Sequence, residues 1–235
     1  MTFVIVLACT VAACFALRSP LKACPTAFYA LAVAVDAVFV VGTFWGMPRA
    51  VWSALFPLVQ KCLLPLALFV VVMYIGVLPR TSRPYAWLKP VRAELSIVAW
   101  ILSLGHMAVY LASYLPRNVL GGAVSPNVMA SFAVAVVLLV LLLVLGVTSF
   151  NAVKRRMRTD TWKKVQKLAY PFFLLVYVHL LLMLLPSALR GGAAAQVSVI
   201  VYSVVFLGYA VLRVARALRD RRAVHDTPAS PKCFT

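Results

Sequence analysis

Long apolar runs, separated by short basic stretches, dominate this chain and leave it very few folds. Seven of them fall near residues 2–17, 25–45, 62–79, 94–114, 128–150, 168–189 and 196–213. A helix of roughly 20 mostly apolar residues crosses a bilayer, and within lipid a helix satisfies its own backbone without outside partners. The first run is short; the other six are long enough. The fold class is therefore an all-α polytopic membrane protein. Composition agrees, because 64% of the 235 residues are hydrophobic and 12% are charged, roughly half the charge of an ordinary soluble domain. Intrinsic disorder and a soluble secreted domain are both excluded. The five cysteines show no CxxC spacing, and nothing calls for a disulfide framework.

Charge placement sets the expected orientation, since short cytoplasmic loops collect Lys and Arg. The net charge is +18. Nineteen of the 23 basic residues lie in four regions: 18–22, 80–92, 154–167 and the tail from Arg213. The alternate loops hold Arg49, Lys61, Arg117 and Arg190. Seven spans with the N-terminus outside and the C-terminus cytoplasmic put every basic cluster on the inner side of a cell (inner or plasma) membrane. The positive charge is then topological. It argues for contact with membrane lipid head groups and against nucleic acid as a partner.

Segment 2–17 has no basic residue ahead of its apolar run, which a cleaved signal peptide normally carries. Val11-Ala12-Ala13-Cys14 loosely resembles a lipoprotein cleavage site, but a retained helix, a signal anchor, is the expectation. The domain division is then 1–20 as an N-terminal transmembrane helix, 21–213 as the bundle and 214–235 as a basic cytoplasmic tail. Segment 47–61 reads as an interfacial stretch on the outer side. The outer loop around Gly121-Gly122 reads as a flexible connector. There is no Gly-rich phosphate loop on a strand–helix unit and no internal repeat.

Ionisable residues inside spans are the strongest functional pointers in a membrane sequence. Here they are Asp36, His106 and His179. His106 lies 14 residues beyond Arg92 and His179 lies 12 beyond Lys167, depths of about 21 and 18 Å at 1.5 Å per residue. Both helices run in the same direction. Two imidazoles at nearly equal depth suit one planar group held between them, and a bis-histidine haem b fits, because imidazole suits iron. Gly105 would let a flat ring approach closely, and Tyr110 and Met183, one turn along, fall on the histidine faces. Two blander readings stand beside this one. The histidines also suit a hydrogen bond across helices that tightens packing. A zinc site needs more ligands than these. Asp36, mid-span, is a candidate proton relay or a structural hydrogen-bonding group. Ser103 and Ser113 are weaker candidates for contacts in this layer.

The stretch Arg92–Tyr110, with a basic start, Glu-Leu-Ser, His106 and Tyr110, resembles the first haem-ligand helix of ferric-reductase-like transmembrane proteins. Thr148-Ser149-Phe150, a basic loop, Trp162-Lys-Lys-Val-Gln-Lys-Leu-Ala-Tyr170 and His179 resemble the second, and that signature is the more specific. Within the family, the chain looks most similar to the haem-binding membrane subunit of the periplasmic methionine sulfoxide reductase system, over about 25 to 185. The resemblance implies a six-helix haem-binding bundle, with segment 2–17 as one extra helix. It also implies His106 and His179 as the metal ligands. The family often has a further histidine where this chain has Gln166, 13 residues before His179, and the matching place near Arg92–Ala93 has none either. One haem b per chain is therefore expected, with Arg92, Arg80 and Arg83 as candidate partners of its propionates. A flavin is possible chemistry but no residue here supports it.

The functional expectation is an oxidoreductase membrane subunit for transmembrane electron transfer. Its donor would be a cytoplasmic flavoprotein or quinol, and its acceptor on the outer face would be ferric iron, a flavin protein or a partner reductase. The competing expectation is a cofactor-free transporter or scaffold subunit, with Asp36 and the histidines as a proton path or packing contacts. No serine–histidine motif of an intramembrane hydrolase is present.

Overall fold

The structure, a computed structural model, describes residues 2–119 and 125–225. The Gly121-Gly122 connector lies outside the described residues, as does the end of the tail from 226. Among the described residues all regular structure is helical, without strands. The helices are α1 (Thr2–Ala16), α2 (Arg18–Ala23), α3 (Pro25–Trp45), α4 (Arg49–Leu55), α5 (Leu63–Ile75), α6 (Arg83–Leu88), α7 (Arg92–Val119), α8 (Pro126–Ser149), α9 (Asn151–Arg156), α10 (Thr159–Gln166), α11 (Ala169–Leu189) and α12 (Ala193–His225).

Six helical stretches are long and apolar enough to cross a membrane: Pro25–Trp45, Arg49–Ile75, Arg83–Pro116, Pro126–Ser149, Thr159–Leu189 and Ala193–Arg221. The shorter apolar α1 precedes them. This is the expected multi-pass architecture of six helices plus one, with two local differences. Segment 47–61 is not merely interfacial. It forms α4 and a π-helical turn, Phe56–Gln60, that leads into α5, and Val59 is fully buried against Phe39 and Val109. The last span also does not stop near 213, because α12 continues as one helix to His225.

Burial identifies the centre of the bundle. The most apolar window of Arg49–Ile75 is 61% buried and that of Arg83–Pro116 is 44% buried, against 17% for each of the other four spans. The sequence explains this. Leu-Leu-Pro-Leu-Ala-Leu-Phe-Val-Val-Val-Met-Tyr-Ile in α5 is apolar on every side, which suits a helix surrounded by protein. α1, α7 and α12 pack around it. α3 lies against α7, and α8 lies against both α7 and α11. The aromatic ring of Phe3 sits 4.7 Å from that of Tyr202, which ties α1 to α12. Gly146 lets α8 approach the Trp100 indole on α7 so closely that a Cβ would fall on the ring.

The basic end of the bundle is laced by side chains. The last carbonyls of a helix have no partner in their own ladder. Arg92 Nε donates to Val72 O at 3.0 Å, and Arg216 Nη1 donates to Gly76 O at 3.0 Å and Leu78 O at 2.6 Å. These contacts hold the end of α5, the basic start of α7 and the basic part of α12 together. At the end of α8, Trp162 Nε1 donates to Thr148 O, and Gln166 Nε2 donates to Thr148 Oγ1, both at 3.0 Å. Lys154 lies 4.5 Å over the Trp162 ring. The Thr-Ser-Phe and Trp-Lys-Lys signature thus docks α10 onto the end of α8.

Candidate functional site

His106 owes its setting to a break in the second span. Pro65 has no N–H for Lys61 O, and its ring clashes with that carbonyl, so the ladder cannot run unbroken from α4 into α5. The chain resolves this with the π-helical turn, in which Lys61 N–H donates to Phe56 O, and with Cys62 in the left-handed region at φ 55°. Such π-turns are often found at functional sites. The break releases the Gln60 carbonyl from the ladder, and His106 Nδ1 donates to it at 2.6 Å.

His179 is held differently. Its Nδ1 lies 2.9 Å from Ser131 Oγ and 3.2 Å from Ser131 O on α8. Ser131 is 2% exposed. Beside His106 stands a carbonyl oxygen, which can only accept, so a neutral imidazole carries its proton on Nδ1 there and Nε2 has the free lone pair. Beside His179 the nearer Ser131 Oγ can both donate and accept, and Nε2 is the ring nitrogen outside that contact. The two imidazoles lie within electrostatic reach of each other.

The remaining residues singled out from the sequence divide into two groups. Tyr110 joins the histidine layer, its ring 4.7 Å from that of His106 and tilted by 47°, with Tyr114 stacked behind it at 5.9 Å. Asp36 joins it too. It is 9% exposed, and its Oδ2 accepts the Gly105 N–H at 3.0 Å. Gly105 gives its open side to this carboxyl: a Cβ there would lie 2.5 Å from Asp36 Oδ1. Asp36 Oδ1 has no hydrogen-bond partner among the described residues. Cys62 lies beside Ser103 and within electrostatic reach of Asp36. Ser103 and Ser113 donate back to their own helix, to Ala99 O and Val109 O.

The other group makes no hydrogen bond or ring contact with the histidines among the described residues. Met183 is 42% exposed. Arg92 is engaged at the end of α5. Gln166 is not on one unbroken helix with His179, because Lys167 and Leu168 form a tightened turn between α10 and α11.

Two residues of the site escaped the sequence reading, Gln60 and Ser131. Ser131 carries a signal, as a hydroxyl in a stretch of α8 that is otherwise apolar from Val128 to Val147. Gln60 acts through its backbone, which no side-chain pattern reveals. Among the described residues no three His, Cys, Asp or Glu side chains gather as a metal-ion site. A haem needs only two ligands from the protein.

The model of the family described as ferric reductase like transmembrane component matches residues 56–177, just over half of the chain. The chain belongs to this family. The matched region begins at the π-helical turn and ends two residues before His179. An uncharacterized protein of Treponema pallidum (strain Nichols) is 48% identical over 132 residues, which cover 56% of this chain and 37% of that protein. The match thus spans little more than a third of that relative's length. No solved structure matches the chain. Membership places the bundle among transmembrane redox components in general.

Proposed function

We propose that this chain passes electrons across a membrane through one b-type haem ligated by Nε2 of His106 and Nε2 of His179. The observation that carries this reading is the shared setting of the two imidazoles. Each comes from a different helix, each has Nδ1 bonded to an oxygen of a neighbouring segment, and each keeps Nε2 for a ligand. Metal-bound histidines characteristically donate their other nitrogen in this way, which fixes ring orientation and tautomer. The residues therefore fit the group. When bound, haem supplies a one-electron iron couple.

The protein's own residues do the rest. The Gln60 carbonyl and Ser131 hold the two rings, and Tyr110 packs on the His106 face. The apolar α5 and α8 keep water from the layer. Asp36, anchored to the residue next to His106, is the proposed proton relay. Gln166, bonded to Thr148, does not offer a second ligand set, so the stoichiometry is one haem per chain. The division is 21–213 for the bundle, 1–20 for an added helix and 214–235 for the tail, whose first part continues α12. The gathering of basic residues at one end of α5, α7 and α12 supports a cytoplasmic C-terminus and an external N-terminus. Electrons enter from a cytoplasmic flavoprotein or quinol and leave to ferric iron, a flavin protein or a partner reductase outside. The likeness to the membrane subunit of the methionine sulfoxide reductase system favours a partner reductase.

The test is a pyridine-haemochrome determination on the detergent-purified chain, expressed with ample haem. About one b-type haem per chain is expected for a single bis-histidine site. A colourless preparation would overturn the reading in favour of a cofactor-free membrane protein.

A further inference from the structure

A second built site lies at the basic end of the bundle, away from the histidine layer. A cavity of about 180 Å³ opens between the turn that follows α5 and the face of α12. Its walls are Val77, Pro79, Arg80, Arg216, Arg219 and Asp220. Arg216 is fixed by its bonds to Gly76 O and Leu78 O and is 12% exposed. Its Nε is 3.9 Å from Asp220 Oδ2, the one ion pair among the described residues, and the Asp220 side chain is 61% exposed. Three guanidinium groups thus face one loosely engaged carboxylate. The excess is two positive charges in a recess with apolar Val77 and Pro79 on one side.

We propose that this cavity seats the phosphoryl head group of an anionic membrane lipid. Guanidinium forks match phosphate oxygens two at a time, and basic pockets between spans at the positive end of a membrane protein are suited to such head groups. The surroundings favour a lipid over a soluble phosphate. Leu212, one turn deeper on the Arg216 face of α12, is 44% exposed and offers the adjoining acyl chain an apolar track. Arg216 serves both roles: it caps the end of α5 and contributes charge to the recess. Arg80 and Arg219 are free of the carbonyl caps, so they bind without holding the fold.

The experiment uses the full chain in neutral detergent, with lipid retention counted by native mass spectrometry. The probes are phosphatidylglycerol, phosphatidylcholine as the neutral control, and inorganic phosphate as the soluble arm. Phosphatidylglycerol is expected to be retained and phosphatidylcholine to be washed away. In the R80Q/R219Q double variant, retention of phosphatidylglycerol should weaken about thirtyfold, from the contribution of each arginine near an anionic head group. In D220N it should strengthen. An R155Q/R156Q variant, altered in the α9 basic cluster, should behave as the parent. If the double variant does not fold, Arg219→Gln alone serves, with a smaller loss of the same sign. Equal retention in the parent and the arginine variants would overturn the proposal. So would inorganic phosphate displacing the lipid completely at equal concentration, because the site would then belong to a soluble phosphoryl compound.

Discussion

The two histidines sit in matched chemistry but unlike mechanical settings. His106 takes its oxygen from backbone, at a place where the second span is broken by a π-turn and a left-handed Cys62. His179 takes its oxygen from Ser131, within the uninterrupted α8. One ring is thus positioned by the shape of a neighbouring segment, and side-chain replacement at Gln60 cannot remove its partner. The other is positioned in part by a single hydroxyl that mutation can delete. The comparison teaches that a ligand's supporting contact can be robust to substitution and yet sensitive to backbone conformation, or the reverse.

The comparison breaks most completely when a ligand itself is removed. His106→Ala and His179→Ala are each expected to abolish haem retention, measured as haem per chain after purification. Full retention in either variant would remove that residue from the ligand set. Next in size is Gly105→Ala, which drives a Cβ onto the Asp36 carboxyl. Crowding of this kind costs about 1–3 kcal/mol, read as a lower unfolding midpoint in detergent. Combining it with Asp36→Ser should return much of the loss, since the two residues are in contact.

The His106 side is sharpened by Cys62. A β-branched residue is poorly suited to the left-handed region, so Cys62→Val should cost about 1–2 kcal/mol and loosen haem at His106, whereas Cys62→Gly should be tolerated. Equal behaviour of the two variants in thermal unfolding and haem content would show that the break does not depend on this conformation. The smallest effect is expected at Ser131→Ala. A lost hydrogen bond is worth about 0.5–1.5 kcal/mol, and the Ser131 carbonyl remains at 3.2 Å. Haem affinity should therefore fall only about threefold to tenfold, as measured by haem transfer to an apo-haem acceptor.

Much of the architecture was legible in the sequence because spans are a composition signal. The six long helices and the short α1 follow directly from apolar runs. Tyr110 beside His106, and Asp36 in the same layer, followed from helical spacing and from the cost of a carboxyl in mid-span. Other features were hidden for physical reasons. Cys62 is not a residue that advertises a positive φ, as Gly or Asn would, so the break in the second span was not visible and 47–61 read as interfacial. The Gln60 contact belongs to backbone. Gly105 was read as a point where a flat ring approaches, whereas in the fold its open side is taken by the Asp36 carboxyl. The length of α12 was obscured because its charged end, Arg213–Arg222, reads as tail while remaining helical.

The most direct test of the central claim is near-infrared magnetic circular dichroism of the purified oxidised chain, read together with low-temperature electron paramagnetic resonance. These signals report the axial ligands of a ferric haem. The account predicts a single low-spin species with two imidazole ligands, at about one haem per chain. A five-coordinate high-spin signal, a histidine–methionine signature or no haem at all would contradict it.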